Sequence, residues 1–224
     1  MERHHFEEEL QSLKNRLLTM GALVEERVHQ AVRALIDRQL EEAEQVICSD
    51  QDVNTLQIEI DDRCLKLLAL QQPIATDLRL ITAAMKINAD LERIGDQAVN
   101  IAENVIKLLP QAPLKPLIDI PRMAELAEKM TRDALDAFVR KDPELARNVL
   151  QRDDEVDNLK DQVFRELLTY MMADPGTIQR ALALILISRN LERIADHATN
   201  IAEDVIFLVE AKDVRHHHQE EQPK

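Results

Sequence analysis

One segment of this sequence occurs twice, 100 residues apart. Residues 90–106 read DLERIGDQAVNIAENVI and residues 190–206 read NLERIADHATNIAEDVI, and twelve of the seventeen positions are identical. Weaker similarity at an offset of 103 residues aligns 20–47 with 123–150. The offset changes by three residues near 71–73 and 173–176, and turns tolerate such length differences. The chain is therefore predicted to consist of two homologous halves of roughly 100 residues each.

Both halves have the residue pattern of long helices. Apolar residues recur three and four positions apart, as in Leu10, Leu13, Leu17 and Met20, which is the spacing of an amphipathic helix. The chain has 3 Gly and only 2% aromatic residues, which disfavours strands and tight β-turns. Breaks near 37–39, 72–73, 141–143 and 174–176 divide each half into three helical stretches. We predict an all-α fold of two tandem homologous three-helix bundles with six long antiparallel helices.

Prolines mark the division between the halves. Pro110, Pro113, Pro116 and Pro121 lie within twelve residues, and proline at that density cannot continue a helix. We predict a first bundle over residues 1–112, a proline-rich linker over 113–121 and a second bundle over 122–213. Residues 214–224 lack apolar periodicity and are predicted to be a disordered tail.

The overall charge restricts the class of partner. The formal net charge of −14 argues against duplex nucleic acid and against direct binding to an anionic membrane surface. The longest apolar run, residues 181–187, is too short to span a bilayer, and no secretory signal precedes the first charged residues. Cys48 and Cys64 are the only cysteines and form no disulfide-like framework. These features favour a cytoplasmic location.

Each copy of the repeated segment carries two acids four residues apart, Glu92 with Asp96 and Glu192 with Asp196. At 100° per residue, such a pair lies on one face of a helix, where like charges repel by a few tenths of a kcal/mol. A bound cation would remove this repulsion, and carboxylate oxygens suit hard or borderline ions such as Mg²⁺, Mn²⁺ or iron. These four acids are the main predicted metal ligands.

One helix offers only two or three oxygens, so other groups must complete a coordination shell. Asn100 and Asn200 continue the acidic strips, and Asp50 and Asp153 begin further pairs spaced four residues apart. These four are weaker candidate ligands, and Glu25 and Glu128 are weaker still.

A solvated acidic face without metal is the alternative interpretation of the strips. Arg93 and Arg193 lie next to the acidic pairs and could neutralise them. His197 is not part of the repeated chemistry, because its counterpart is Gln97. Cys64 lies within an apolar helix pattern and is predicted to be a core residue.

The chain resembles the PhoU family over nearly its whole length. The resemblance is carried by the stretches TMGALVEERV, DQDVNTLQIEID, QQPIATDLRL and LTYMMADPGTI, together with the two ExxxD motifs. It implies two three-helix bundles that bind multinuclear metal clusters through repeated E(D)xxxD motifs, which map here to Glu92, Asp96, Glu192 and Asp196. The metal ions so implied are divalent or trivalent, and iron, manganese, magnesium and zinc all remain open.

The resemblance also implies a function. PhoU-like proteins are cytoplasmic negative regulators of phosphate uptake and of the phosphate-starvation (Pho) response. They are adaptors between the ATPase PstB of the phosphate ABC transporter and the sensor histidine kinase PhoR, they have no enzymatic reaction of their own, and homodimers are common.

Two other classes of protein remain alternatives. A ferritin-like di-metal enzyme needs two ExxH motifs on its helices. Gly95 and Ala195 occupy the positions three residues after Glu92 and Glu192, so that signature is absent from the repeated acidic segments. A purely structural helical scaffold without metal is the third class, which metal analysis would distinguish.

Overall fold

A computed structural model describes residues 2–71, 73–212 and 214. The helices are α1 (Glu2–Asp37), α2 (Leu40–Cys48), α3 (Asp50–Gln71), α4 (Ala75–Leu108), α5 (Asp119–Arg140), α6 (Pro143–Ala173) and α7 (Ile178–Glu210), with a 3₁₀ turn at Pro175–Thr177. None of the described residues forms a strand. Because α2 and α3 together correspond to α6, each half is a three-helix bundle, and the predicted all-α fold is confirmed.

The second helix of the first half is interrupted at Ser49. The Ser49 hydroxyl donates to the carbonyl of Val46 at 3.2 Å, and the amide of Asp52 donates to the Ser49 carbonyl at 3.1 Å. At the equivalent position of the second half, Arg152 continues the helix without a break. The interruption therefore belongs to the first half alone and lies directly before Asp50.

The connection between the halves is displaced from the predicted linker of residues 113–121. It runs over residues 109–118, because α4 ends at Leu108 and α5 begins at Asp119. Pro121 lies in the first turn of α5, where its missing N–H has no partner to lose. The division into separately folding domains stays a prediction. Of the predicted tail, only Val214 is described, and residues 215–224 lie outside the described part of the chain.

One apolar core runs through both bundles, with α4 and α7 at its centre. Ile94 and Ile101 of α4 and their equivalents Ile194 and Ile201 of α7 are all fully buried. Cys64 is also fully buried, and burial raises the pKa of its thiol to about 12, which confirms its prediction as a core residue. None of the described helices is both long enough and apolar enough to cross a bilayer.

The two halves also meet where α1 lies against α5. Arg132 forms an ion pair with Glu25, and His29 Nδ1 lies 3.6 Å from a carboxylate oxygen of Glu128. At the offset of 103 residues, Glu25 is equivalent to Glu128 and His29 to Arg132. The two pairs are thus related by an approximate two-fold axis. Glu25 and Glu128 thus each face a basic residue of the other half, and their role as weaker metal ligands stays a prediction.

Candidate metal centre

The first carboxylate cluster consists of Asp50 at the start of α3 and Glu92 and Asp96 on α4. Partial burial raises the pKa of Glu92, and the charges of Asp96 and Asp50 add to this effect. The pKa of Asp96 is raised by burial and then by the charge of Asp50. The start of α3 thus places a third carboxylate beside the acidic pair of α4, at an electrostatic cost to the fold.

The second carboxylate cluster consists of Asp153 and Asp157 on α6 and Glu192 and Asp196 on α7. Burial, followed by the charges of Asp196 and Asp157, raises the pKa of Asp153 to about 6. The pKa of Asp196 is raised by burial and then by Glu192. The structure therefore brings the predicted acidic ligands of each half together from two neighbouring helices. Each half contains one such cluster.

A lysine that sequence analysis missed lies within the second cluster. Lys160 Nζ donates to Asp157 Oδ1 at 2.8 Å and to Glu192 Oε1 at 3.3 Å. The hydrogen bond to Asp157 is the main reason why the pKa of Lys160 is raised. The available sequence signal was the spacing of three residues between Asp157 and Lys160.

The arginines next to the repeated acids contribute less than expected. Arg93 and Arg193 are both exposed. The charge of Arg93 lowers the pKa of Glu92, but burial and the neighbouring acids outweigh it. In the second cluster, the cation that hydrogen-bonds to the acids is Lys160.

The asparagines predicted as weaker ligands make different contacts in the two halves. Asn200 Nδ2 donates across the interface between the halves to Asp90 Oδ1 at 3.3 Å. The backbone carbonyl of Asn100 accepts a hydrogen bond from Asn104 Nδ2 at 2.7 Å. Asn54, the first-half equivalent of Asp157, donates to Asp50 Oδ2 at 2.8 Å. The role of Asn100 and Asn200 as metal ligands stays a prediction.

A buried polar contact lies between the two clusters, where α4 packs on α7. His197 Nδ1 lies 2.9 Å from Asp90 Oδ1, and both side chains are buried. His197 Nε2 is also buried and has no hydrogen-bond partner among the described residues. The charge of His197 lowers the pKa of Asp96 in the first half and of Asp196 in the second. His197 therefore acts electrostatically on both clusters.

The chemistry of the donors fits a hard or borderline cation. Each cluster gathers carboxylates from two helices against their mutual repulsion, and such oxygens are the preferred ligands of these ions. Over residues 2–71, 73–212 and 214, no three acidic, histidine or cysteine side chains already surround one point at ligand distance. Binding of a cation would thus require these side chains to rotate towards it.

A separate cavity of about 230 Å³ lies between the end of α1, the connection from α4 to α5 and the first turns of α7. Its walls are mostly apolar, and Arg38 closes one side by donating to the carbonyls of Leu109 at 2.6 Å and Gln111 at 2.7 Å. No residue of either carboxylate cluster lines it. The cavity and the acidic clusters are therefore distinct features.

Comparison with protein families gives a match in each half. The family model described as "PhoU domain" matches residues 17–105 and again residues 120–205. The phosphate-specific transport system accessory protein PhoU homolog of Pseudomonas aeruginosa is 45% identical over 218 residues, covering 95% of this chain and 90% of that protein. The PhoU accessory protein of Escherichia coli K12 is 35% identical over 211 residues, covering 94% of this chain and 88% of that protein.

Two crystal structures have the same fold. PhoU from Pseudomonas aeruginosa superposes with a TM-score of 0.89 at 44% identity, covering 92% of this chain and all of that one. The phosphate transport system regulatory protein PhoU from Streptococcus pneumoniae superposes with a TM-score of 0.87 at 32% identity, covering 93% and 99%. Because sequence and fold agree over both halves, this chain belongs to the PhoU family.

Proposed function

We propose that this protein is an accessory regulator of a phosphate-specific transport system, which restrains phosphate uptake and the Pho response when phosphate is plentiful. The observation that carries the proposal is the match of both halves to the PhoU domain. Relatives that align over more than nine-tenths of this chain are named accessory proteins of that transport system.

In this role the protein is a cytoplasmic adaptor between the transporter ATPase PstB and the sensor kinase PhoR, and it catalyses no reaction. Coupling of this kind requires only that the adaptor prefers one state of each partner. The repeated acids Glu92 and Glu192 are not followed by a histidine three residues later, as the ligands of a ferritin-like enzyme would be. This and the accessory role of the relatives support an adaptor over such an enzyme.

The regulatory role is tested by deleting the gene and measuring alkaline phosphatase output in phosphate-rich medium. High output in the deletion strain, reversed when the protein is supplied, is expected of a negative regulator. Unchanged output in a strain without a second copy would remove the regulatory proposal. Copurification of the protein with PstB and with the cytoplasmic part of PhoR tests the adaptor role separately.

The two carboxylate clusters are proposed to hold divalent or trivalent metal ions. Glu92, Asp96, Glu192 and Asp196 would supply the main oxygen ligands, and a bound cation would offset the repulsion within each cluster. The alternative is that the protein is a helical scaffold that binds no metal.

Metal analysis of purified protein separates these two interpretations. Replacing Glu92 and Asp96 by alanine together should lower the metal content per chain. Replacing Glu41 and Glu44, two acids of α2 in the same half, removes the same charge away from the cluster and should leave the metal content unchanged. Equal metal content in both variants would reject the ligand assignment.

A further inference from the structure

The two carboxylate clusters differ by a lysine that hydrogen-bonds to acids of two helices. In the second cluster, the ammonium group of Lys160 bridges α6 and α7 through its hydrogen bonds to Asp157 and Glu192. Gln57 occupies the equivalent position in the first half. Over the described residues, no Lys, Arg or His nitrogen lies within 4.0 Å of a carboxylate oxygen of Asp50, Glu92 or Asp96.

Two substitutions between the halves compensate each other in charge. Where the first half has Asn54 and Gln57, the second has Asp157 and Lys160. The additional carboxylate is balanced by the additional ammonium group, so the formal charge of the two clusters is the same. The clusters differ in their hydrogen bonds. Asn54 donates to Asp50 within α3, whereas Lys160 donates to one acid on each of two helices.

Resting on the proposed metal binding, we infer that Lys160 is an internal counter-ion of the second cluster, so that a metal ion loads the first cluster at lower concentration than the second. A metal ion entering the second cluster must displace the ammonium group from Glu192, a predicted ligand. In the first cluster, the hydrogen bond to be replaced comes from the neutral amide of Asn54 to Asp50, a weaker candidate ligand. The two halves are therefore unequal sites, which fill one after the other as the metal concentration rises.

The test compares proteins in which only one cluster remains intact. Mn²⁺ is titrated in and free Mn²⁺ is measured by EPR, a readout that depends on binding alone. The E192A/D196A variant retains the first cluster, and the E92A/D96A variant retains the second. We expect the dissociation constant for Mn²⁺ to be about tenfold lower in the variant that retains the first cluster, since a hydrogen bond to a charged group must be replaced in the other.

Lys160 itself is then tested in the protein that retains only the second cluster. Adding K160Q to E92A/D96A should lower the Mn²⁺ dissociation constant about tenfold. R165Q in the same background is the matched control, because Arg165 is an exposed cation of α6 and its removal changes the net charge equally. This control should change the dissociation constant by less than about twofold.

Placing the lysine in the first cluster gives a second test that does not depend on the folding of K160Q. N54D/Q57K, added to E192A/D196A, places the second-half pair in the first cluster and should raise its Mn²⁺ dissociation constant. Equal affinities in the two single-cluster proteins, or no effect of both K160Q and the transplant, would overturn the role of Lys160 alone. If no protein binds Mn²⁺, including the unmutated chain, the metal-binding proposal itself fails.

Discussion

The two halves have equivalent helices but different polar contacts at equivalent positions. The carboxylate of Asp142 caps the second helix of the second half by accepting from the amides of Glu144 and Leu145. Gln39, its equivalent, makes no side-chain cap bond to α2. The comparison teaches that apolar spacing suffices to repeat a bundle, whereas each polar contact depends on its own pair of residues.

The contacts between the halves show the same contrast. Where α1 lies against α5, both symmetry-related positions carry ion pairs, Glu25–Arg132 and Glu128–His29. Where α4 lies against α7, two charged contacts join described residues, Asp90–His197 at 2.9 Å and Lys86–Asp204 at 2.7 Å, and both lie on the same side of the approximate two-fold axis. The equivalent residues on the other side are Asn190, Gln97, Leu186 and Asn104. The central interface is therefore electrostatically one-sided.

The largest effect is expected from breaking the buried contact of the central interface. Asp90→Ala leaves His197 buried without an acidic partner and should lower the free energy of unfolding by about 3 kcal/mol. Urea denaturation measures the change. Asn190→Ala, at the equivalent position on α7, should cost less than about 1 kcal/mol. Equal losses of unfolding free energy in the two variants would mean that the two sides of the interface contribute equally to stability.

The second carboxylate cluster should make stability depend on pH. The pKa of Asp153 is about 6 in the folded chain, above its ordinary value, so the fold favours the protonated form. The contribution of protonated Asp153 to the free energy of unfolding is fully present below about pH 4 and is lost as the pH rises through about 6. Asp153→Asn should therefore stabilise the metal-free protein by about 1 kcal/mol at pH 7.5, after allowance for solvent screening, and have little effect near pH 4.

Chemical denaturation in buffer containing a chelator, at both pH values, measures this difference. Glu44→Gln removes one exposed acid away from either cluster and serves as the control, with a change of less than about 0.5 kcal/mol. A destabilised Asp153→Asn protein at pH 7.5 would contradict the repulsion within the cluster.

The helix caps offer a smaller matched comparison. Asp142→Ala removes two hydrogen bonds to the first turn of α6 and should cost about 1 kcal/mol. Gln39→Ala should change stability by less than about 0.5 kcal/mol, because Gln39 makes no cap bond. Thermal unfolding of the two variants side by side is sufficient, and a larger loss for Gln39→Ala would be inconsistent with the difference between the halves.

The smallest effects are expected at the symmetric contact of α1 with α5. Glu25→Gln and Glu128→Gln each weaken one ion pair whose basic partner is exposed, and each should cost less than about 1 kcal/mol. Both losses should shrink in high salt, which screens such pairs. A salt-independent loss from either variant would show that its contact is not electrostatic in origin.

Residue patterns predicted the helices well and their polar partners poorly. The apolar spacing placed Leu13, Leu17 and Met20 in the core, where all three are fully buried. The repeat identified Glu92, Asp96, Glu192 and Asp196, and the structure groups each pair with an acid from a neighbouring helix. Lys160 was missed, because its contact with Glu192 joins residues 32 positions apart on different helices.

The sequence by itself determined the all-α class, the duplication and the acidic faces, since these follow from short-range spacing along a helix. Only the tertiary structure decided which of the acids face one another, that Lys160 lies among them, and that Glu25 and Glu128 contact basic residues of the other half. It also decided that His197 meets Asp90 and not an acid of its own half. Such contacts depend on how the helices pack against one another. The packing angles and registers of the helices are set by the whole core and not by any one segment.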